Sequence, residues 1–85
     1  MARSVFSQHY DVVLPVLIEA RRRAGLRQVD LAARLGKPQS FVSKIEQRER
    51  RIDLVEFLIL ARAIGVDEMD LVRAVAGRLP KDAAL

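Results

Sequence analysis

Between Gln28 and Glu46 the chain reads QVDLAARLGKPQSFVSKIE, two short stretches of helical periodicity parted by Gly36-Lys37-Pro38. A glycine can close the first by turning left-handed, and a proline can open the second because a first helical turn leaves its N–H unused. Helices this short are marginal alone in water. They must pack on neighbours, which the other segments of the 85 residues have to supply.

Periodicity and punctuation predict three further helices. One runs from about Tyr10 to Ala24 and stops near Gly25, with Pro15 tolerable only if it falls in the first turn. A fourth begins after Asp53 and ends at Gly65. A fifth begins after Asp67 and fades near Gly77, both aspartates being suitable caps. The pair described above spans about Gln28 to Leu35 and about Pro38 to Gln47. No alternating strand pattern or repeat interrupts them. The expectation is an all-α five-helix bundle over residues 9–79, with a loose arm at 1–8 and a loose tail at 80–85.

Composition narrows the function classes. Without cysteine there can be no disulfide and no thiolate metal site. No apolar run approaches the roughly 20 residues of a membrane span, and no secretory signal pattern opens the chain. A cytoplasmic, nucleoid-associated protein is therefore expected. The single histidine, His9, lies near the N-terminus, and no glycine-rich phosphate loop is present. Enzymatic chemistry, a metal centre and a cofactor are not expected, and His9 reads as a surface residue.

Charge is unevenly placed. Residues 1–20 carry a net −1 and residues 52–85 a net −2, whereas residues 21–51 carry +7, within an overall +4. Basic charge gathered on the two short helices suits a polyanion, although a solvated basic face has the same appearance. The faces of the third helix follow from 100° per residue. Val42 and Ile45, with Glu49 near them, point toward a core. Gln39, Ser40, Ser43, Lys44 and Gln47 fall within about 140° of one another on the opposite side. These are side chains that can read base edges in a major groove. Phe41, at the flank, is either a packing residue or a contact to a thymine methyl or sugar.

The first helix gathers Val13, Leu14, Leu17, Ile18 and Ala24 on one side, with Arg21 in their midst. A charge aimed at a core needs a partner. Glu46 is the best placed, giving a structural ion pair between the first and third helices; the alternative is that Arg21 snorkels to water.

From Leu17 to Leu71 the chain resembles the Xre/phage-repressor helix-turn-helix family, whose fold is the lambda-repressor-like five-helix bundle. The resemblance rests on Leu17, Arg21, Ala24-Gly25-Leu26-Arg27-Gln28, Leu31-Ala32, Leu35-Gly36, Gln39-Ser40 and Val42-Ser43-Lys44-Ile45-Glu46. It continues through Leu54, Leu58, Ala61, Ile64-Gly65-Val66 and Leu71. It implies a double-stranded DNA-binding regulator whose third helix enters the major groove. Positions Gln39, Ser40, Ser43 and Lys44 would meet bases, and Gln28 a phosphate. In several members the pair matching Arg21 and Glu46 forms a salt bridge. Two positions depart from the family: Arg48 stands where glycine is common, and Arg27 replaces a Ser or Thr cap.

Arg27, Gln28, Lys37, Gln47, Arg48, Arg50 and Arg51 are the expected phosphate contacts, supplying affinity that salt weakens. Arg22 and Arg23 are either solvated or DNA-facing. Val55 and Ile59 lie on the fourth helix away from Leu54, Leu58 and Ala61, and Val72, Val75 and Leu79 extend a stripe on the fifth. These five residues suggest a homodimer that reads an inverted repeat as a repressor. The alternative is that the arm, with Val5, Phe6 and Tyr10, folds over them. A protein-interaction adaptor or antitoxin component using the same apolar patch is the competing function, although the few residues after Gly77 make a poor wrapping segment.

Overall fold

A computed structural model describes residues 9–85; the expected arm at 1–8, with Val5 and Phe6, lies outside the described residues. A single 3-10 turn, Tyr10–Val12, leads into α1 (Val13–Arg23), followed by α2 (Gln28–Leu35), α3 (Gln39–Glu46), α4 (Leu54–Ile64) and α5 (Glu68–Arg78). Among the described residues there is no strand. The tail 80–85 is exposed and outside any helix.

The N-terminal 3-10 turn explains how Pro15 is tolerated. The α-helix starts at Val13, three residues later than the sequence suggests, so Pro15 sits in its first turn, where no backbone donor is needed. Arg21, Arg22 and Arg23 fill the last turn, a favourable place for cations beside the negative end of the helix. Asp53 and Glu56 start α4 with a reciprocal capping box: Asp53 Oδ1 accepts from the Glu56 amide at 2.8 Å, and Glu56 Oε1 accepts from the Asp53 amide at 3.0 Å. At α2 only half of that device exists. Arginine has no acceptor to offer, so Asp30 alone reaches back, accepting from the Arg27 amide at 2.8 Å and from the Arg27 guanidinium.

Leu14, Leu17, Leu31, Val42, Ile45, Phe57, Leu60, Ile64 and Leu71 form one core to which all five helices contribute. Ala32 and Ala61 are almost wholly enclosed on α2 and α4, which pack against each other. Burying apolar surface is what holds α2 and α3 helical at eight residues each. Three sequence expectations need correction here. Ala24 lies beyond α1 and is exposed, because the helix ends at Arg23 and the chain turns away. Glu49 does not approach the core, because α3 stops at Glu46 and the 100° register no longer applies. Leu54 is 69% exposed, because the buried face of α4 is set by Phe57, Leu60, Ala61 and Ile64.

Candidate nucleic-acid interface

The turn between α2 and α3 is built by Gly36, at φ 67°, which lets the Lys37 amide return to the Ala32 carbonyl at 2.9 Å. Pro38 then caps α3 in an extended conformation. α3 closes by the same bonding pattern, with the Glu49 amide on the Lys44 carbonyl at 2.8 Å. The left-handed residue there is Arg48, at φ 67°. It thus takes the conformation in which glycine is at ease, at a cost of about 1 kcal/mol or more for a residue bearing a Cβ. Its Nε lies 2.6 Å from Asp11 Oδ1 on the 3-10 turn. That oxygen has no aligned hydrogen bond, so the contact is one of charge more than of directed donation.

Val42 and Ile45 hold α3 to the core, and its opposite face is open: Gln39, Ser40, Lys44 and Gln47 are exposed and Ser43 half-buried. Behind that face lies a buried arginine, Arg21. Its Nε and Nη2 donate to Glu46 Oε2 and Oε1 at 2.6 and 2.9 Å, and Nη1 donates to the Leu26 carbonyl at 2.8 Å. The buried arginine is therefore paired rather than snorkelling. Glu46 Oε1 also accepts from Gln28 Nε2 at 2.9 Å, and Gln28 Oε1 accepts from Gln39 Nε2 at 3.4 Å. An unbroken hydrogen-bonded line thus runs from the interior of α1 to the first outward residue of α3. It orients the Gln28 amide and turns its oxygen toward Gln39.

The expected phosphate cations are unlike one another. Lys44 is exposed and, among the described residues, makes no ion pair. Lys37 lies 5.4 Å from the centre of the Phe41 ring and Arg51 5.0 Å from that of Tyr10. Arg27 is bound on the surface to Asp30, whose carboxyl is lowered to about 2 by the Arg27 side-chain and backbone hydrogen bonds. Arg50 is the most confined. Its Nη1 and Nη2 donate to Glu56 Oε1 and Oε2 at 3.1 and 2.6 Å, Nη1 also donates to the Arg51 carbonyl at 3.0 Å, and the guanidinium lies 4.8 Å from the Phe41 ring centre. Phe41 itself is half-buried and packs on the core. Arg22 and Arg23 are exposed, the latter near Glu19; His9 is half-buried beside the 3-10 turn.

The five apolar residues expected at a dimer interface do not form one patch. Val55 and Ile59, 64% and 49% exposed, lie on the outer face of α4, with Ile59 bordering a groove shared with Leu35, Lys37 and Phe41. Val72 and Val75 are half-buried against the core on the other flank of α4. With Leu79, Leu54 and Tyr10 they line a second apolar groove. Tyr10, expected at the start of the first helix, is part of the bundle: its hydroxyl accepts from the Ile52 amide at 3.1 Å.

Several contacts had no sequence signal because they join distant residues: Asp11–Arg48, Arg78–Glu19 at 2.9 Å, and Arg34 donating to the Ala63 carbonyl at the end of α4 at 2.9 Å. The Asp53–Glu56 box was legible in its spacing; its extension to Arg50 was not.

A buried ion pair seating an exposed polar helix, after a tight turn from its neighbour, is the geometry of a helix-turn-helix unit. The helix-turn-helix family profile matches residues 17–71, more than half of the chain. The chain belongs to the XRE family of helix-turn-helix transcriptional regulators. It is 36% identical over 52 residues to an uncharacterized HTH-type transcriptional regulator, y4dJ, of Sinorhizobium fredii, a match covering 61% of this chain and 68% of that protein. An XRE-family like protein from Pseudomonas syringae pv. tomato has a similar solved structure, with a TM-score of 0.78 and 49% identity over 85% of this chain and 88% of that one. The XRE family is one of DNA-binding regulators. Among the described residues no group of His, Cys, Asp or Glu could hold a metal ion, and no helix is long and apolar enough to cross a membrane.

Proposed function

We propose that this XRE-family protein is a sequence-specific repressor that reads the major groove of double-stranded DNA with α3 and binds an inverted repeat as a homodimer. The observation that carries this reading is the outward face of α3, seated from behind by Arg21 and Glu46. Gln39, Ser40, Ser43 and Lys44 would choose the sequence, each good bidentate contact being worth about 1–3 kcal/mol of discrimination. Gln28, Lys37, Gln47 and Arg51, with Arg27 and Arg48 at the margins, would meet phosphates. Repression by occlusion of a promoter needs nothing beyond a tight DNA complex. The dimer reading draws support from exposed Leu54, Val55 and Ile59 on α4.

The test is selection of genomic fragments by the purified protein, with affinity followed from about 50 to 200 mM salt. Enrichment of an inverted repeat that persists at the higher salt is expected. Uniform binding that collapses with salt would overturn the sequence-specific reading. Charge reversal at Lys44 separates a regulator from an adaptor that uses the apolar side chains of α4: it abolishes operator binding in the first and leaves function intact in the second.

A further inference from the structure

Arg50 stands in the basic loop after α3, where its charge invites assignment to a DNA phosphate. We infer that Glu56, not a phosphate, holds Arg50 in the DNA complex, and that Glu56 is thereby a positioning residue for the reading helix. This inference rests on the DNA-binding reading above.

Three observations converge on it. Both terminal nitrogens of Arg50 are engaged by the two oxygens of one carboxylate, and Nη1 is engaged a second time by the Arg51 carbonyl. These bonds close the end-on fork of Nη1 and Nη2 to a phosphate and leave it only the Nε edge. The guanidinium also rests on Phe41, a residue of α3 itself, so it links the loop to the flank of the reading helix. Finally, Glu56 is not free to swing aside, because the same Oε1 closes the capping box on the Asp53 amide and its own amide is bound to Asp53. If Arg50 left for DNA, an uncompensated carboxylate would remain beside the phosphate backbone. The device therefore runs from the start of α4, through Glu56 and Arg50, to Phe41. It sets the path of residues 47–53 relative to α3.

The two roles of Arg50 predict opposite signs for one substitution. Glu56→Gln keeps an acceptor for the Asp53 amide but removes a negative charge near the DNA. If Arg50 is a phosphate contact, this releases it and binding tightens. If Glu56 positions Arg50, binding weakens.

The experiment measures affinity for a fragment selected by the unmodified protein and for random-sequence duplex, across salt, with each variant well below its melting transition. For Glu56→Gln and Arg50→Lys the expected result is a roughly tenfold loss on the selected fragment relative to random-sequence duplex. Lys44→Gln, by contrast, lowers the salt slope. Unchanged or tighter binding by Glu56→Gln, or equal weakening on both DNAs, overturns the inference. Failure of the unmodified protein to select any fragment overturns the DNA reading instead. NMR of the protein without DNA tests the underlying geometry in either case. Arg50 guanidinium protons should be resolved and shifted by the Phe41 ring, and averaged in Glu56→Gln; averaging already in the unmodified protein overturns the inference.

Discussion

Arg21 and Arg48 show how differently two arginines can be held. Arg21 is 7% exposed and every nitrogen of its guanidinium has an acceptor. Replacing it with methionine leaves Glu46 facing the interior with only Gln28 as donor, and removal of one partner of a buried pair typically costs about 3–5 kcal/mol. Arg21→Met should therefore lower the free energy of unfolding in urea by a comparable amount and weaken DNA binding; an unchanged urea midpoint would mean the pair has no hold on α3. Arg48 carries the opposite balance, a left-handed backbone offset by a half-exposed contact with Asp11. Exposed pairs contribute at most about 1 kcal/mol and salt screens them. Arg48→Gly is expected to be close to neutral at low salt and stabilising by about 1 kcal/mol near 1 M salt, read as thermal unfolding in both. Destabilisation that persists at high salt would show that Arg48 is held by packing rather than by charge.

At the scale of elements, the helix starts carry the acid sensitivity. Asp30, bound to the Arg27 side chain and amide at the start of α2, has its carboxyl lowered to about 2 from 3.8. A depressed carboxyl contributes stability that is fully present above its unfolded value and is lost as pH falls through the folded one. The α2 start should therefore loosen between about pH 4 and pH 2. Glu56 is lowered in the same sense by Arg50 and by the Asp53 amide, so the α4 start follows it. Asp30→Asn should flatten the acid limb of stability measured by circular dichroism; an unaltered limb would place the sensitivity elsewhere. Asp53→Ala removes the side-chain acceptor of the Glu56 amide, and loss of such a cap costs about 0.5–2 kcal/mol.

For the whole molecule, the proposed dimer has two apolar surfaces through which it could form. The outer face of α4, with Val55 and Ile59, and the groove of Leu54, Val72, Val75 and Leu79 lie on different sides of that helix. A two-fold dimer uses the same surface on both copies. Val72 and Val75 pack against the core, so charges there would damage the fold itself. Leu54→Asp and Val55→Asp, both at exposed positions, are the cleaner probes. At least one should turn a dimer into a monomer in sedimentation at tens of micromolar while circular dichroism still reports a folded helical protein. A protein that sediments as monomer before any substitution excludes the dimer.

Much of this molecule is written locally. Gly36 and Gly65 close α2 and α4 where the sequence punctuates them, and Val42 and Ile45 face inward by helical period alone. The match of Arg21 to Glu46 was also accessible, because a charge in an apolar stripe demands a partner and few acids were placed to answer. These features depend on residues within a turn or two of one another, or on the cost of an unpaired charge, and sequence determines both. What only the tertiary structure decided is the fate of the remaining charges and exposed apolar groups. Arg50 meets Glu56 rather than water, Arg48 meets Asp11, and Leu54 faces outward because Phe57 takes the core. Periodicity cannot supply such outcomes. They depend on how the helices and the loops between them are set against one another, and long flexible side chains find their partners only after the core has placed them.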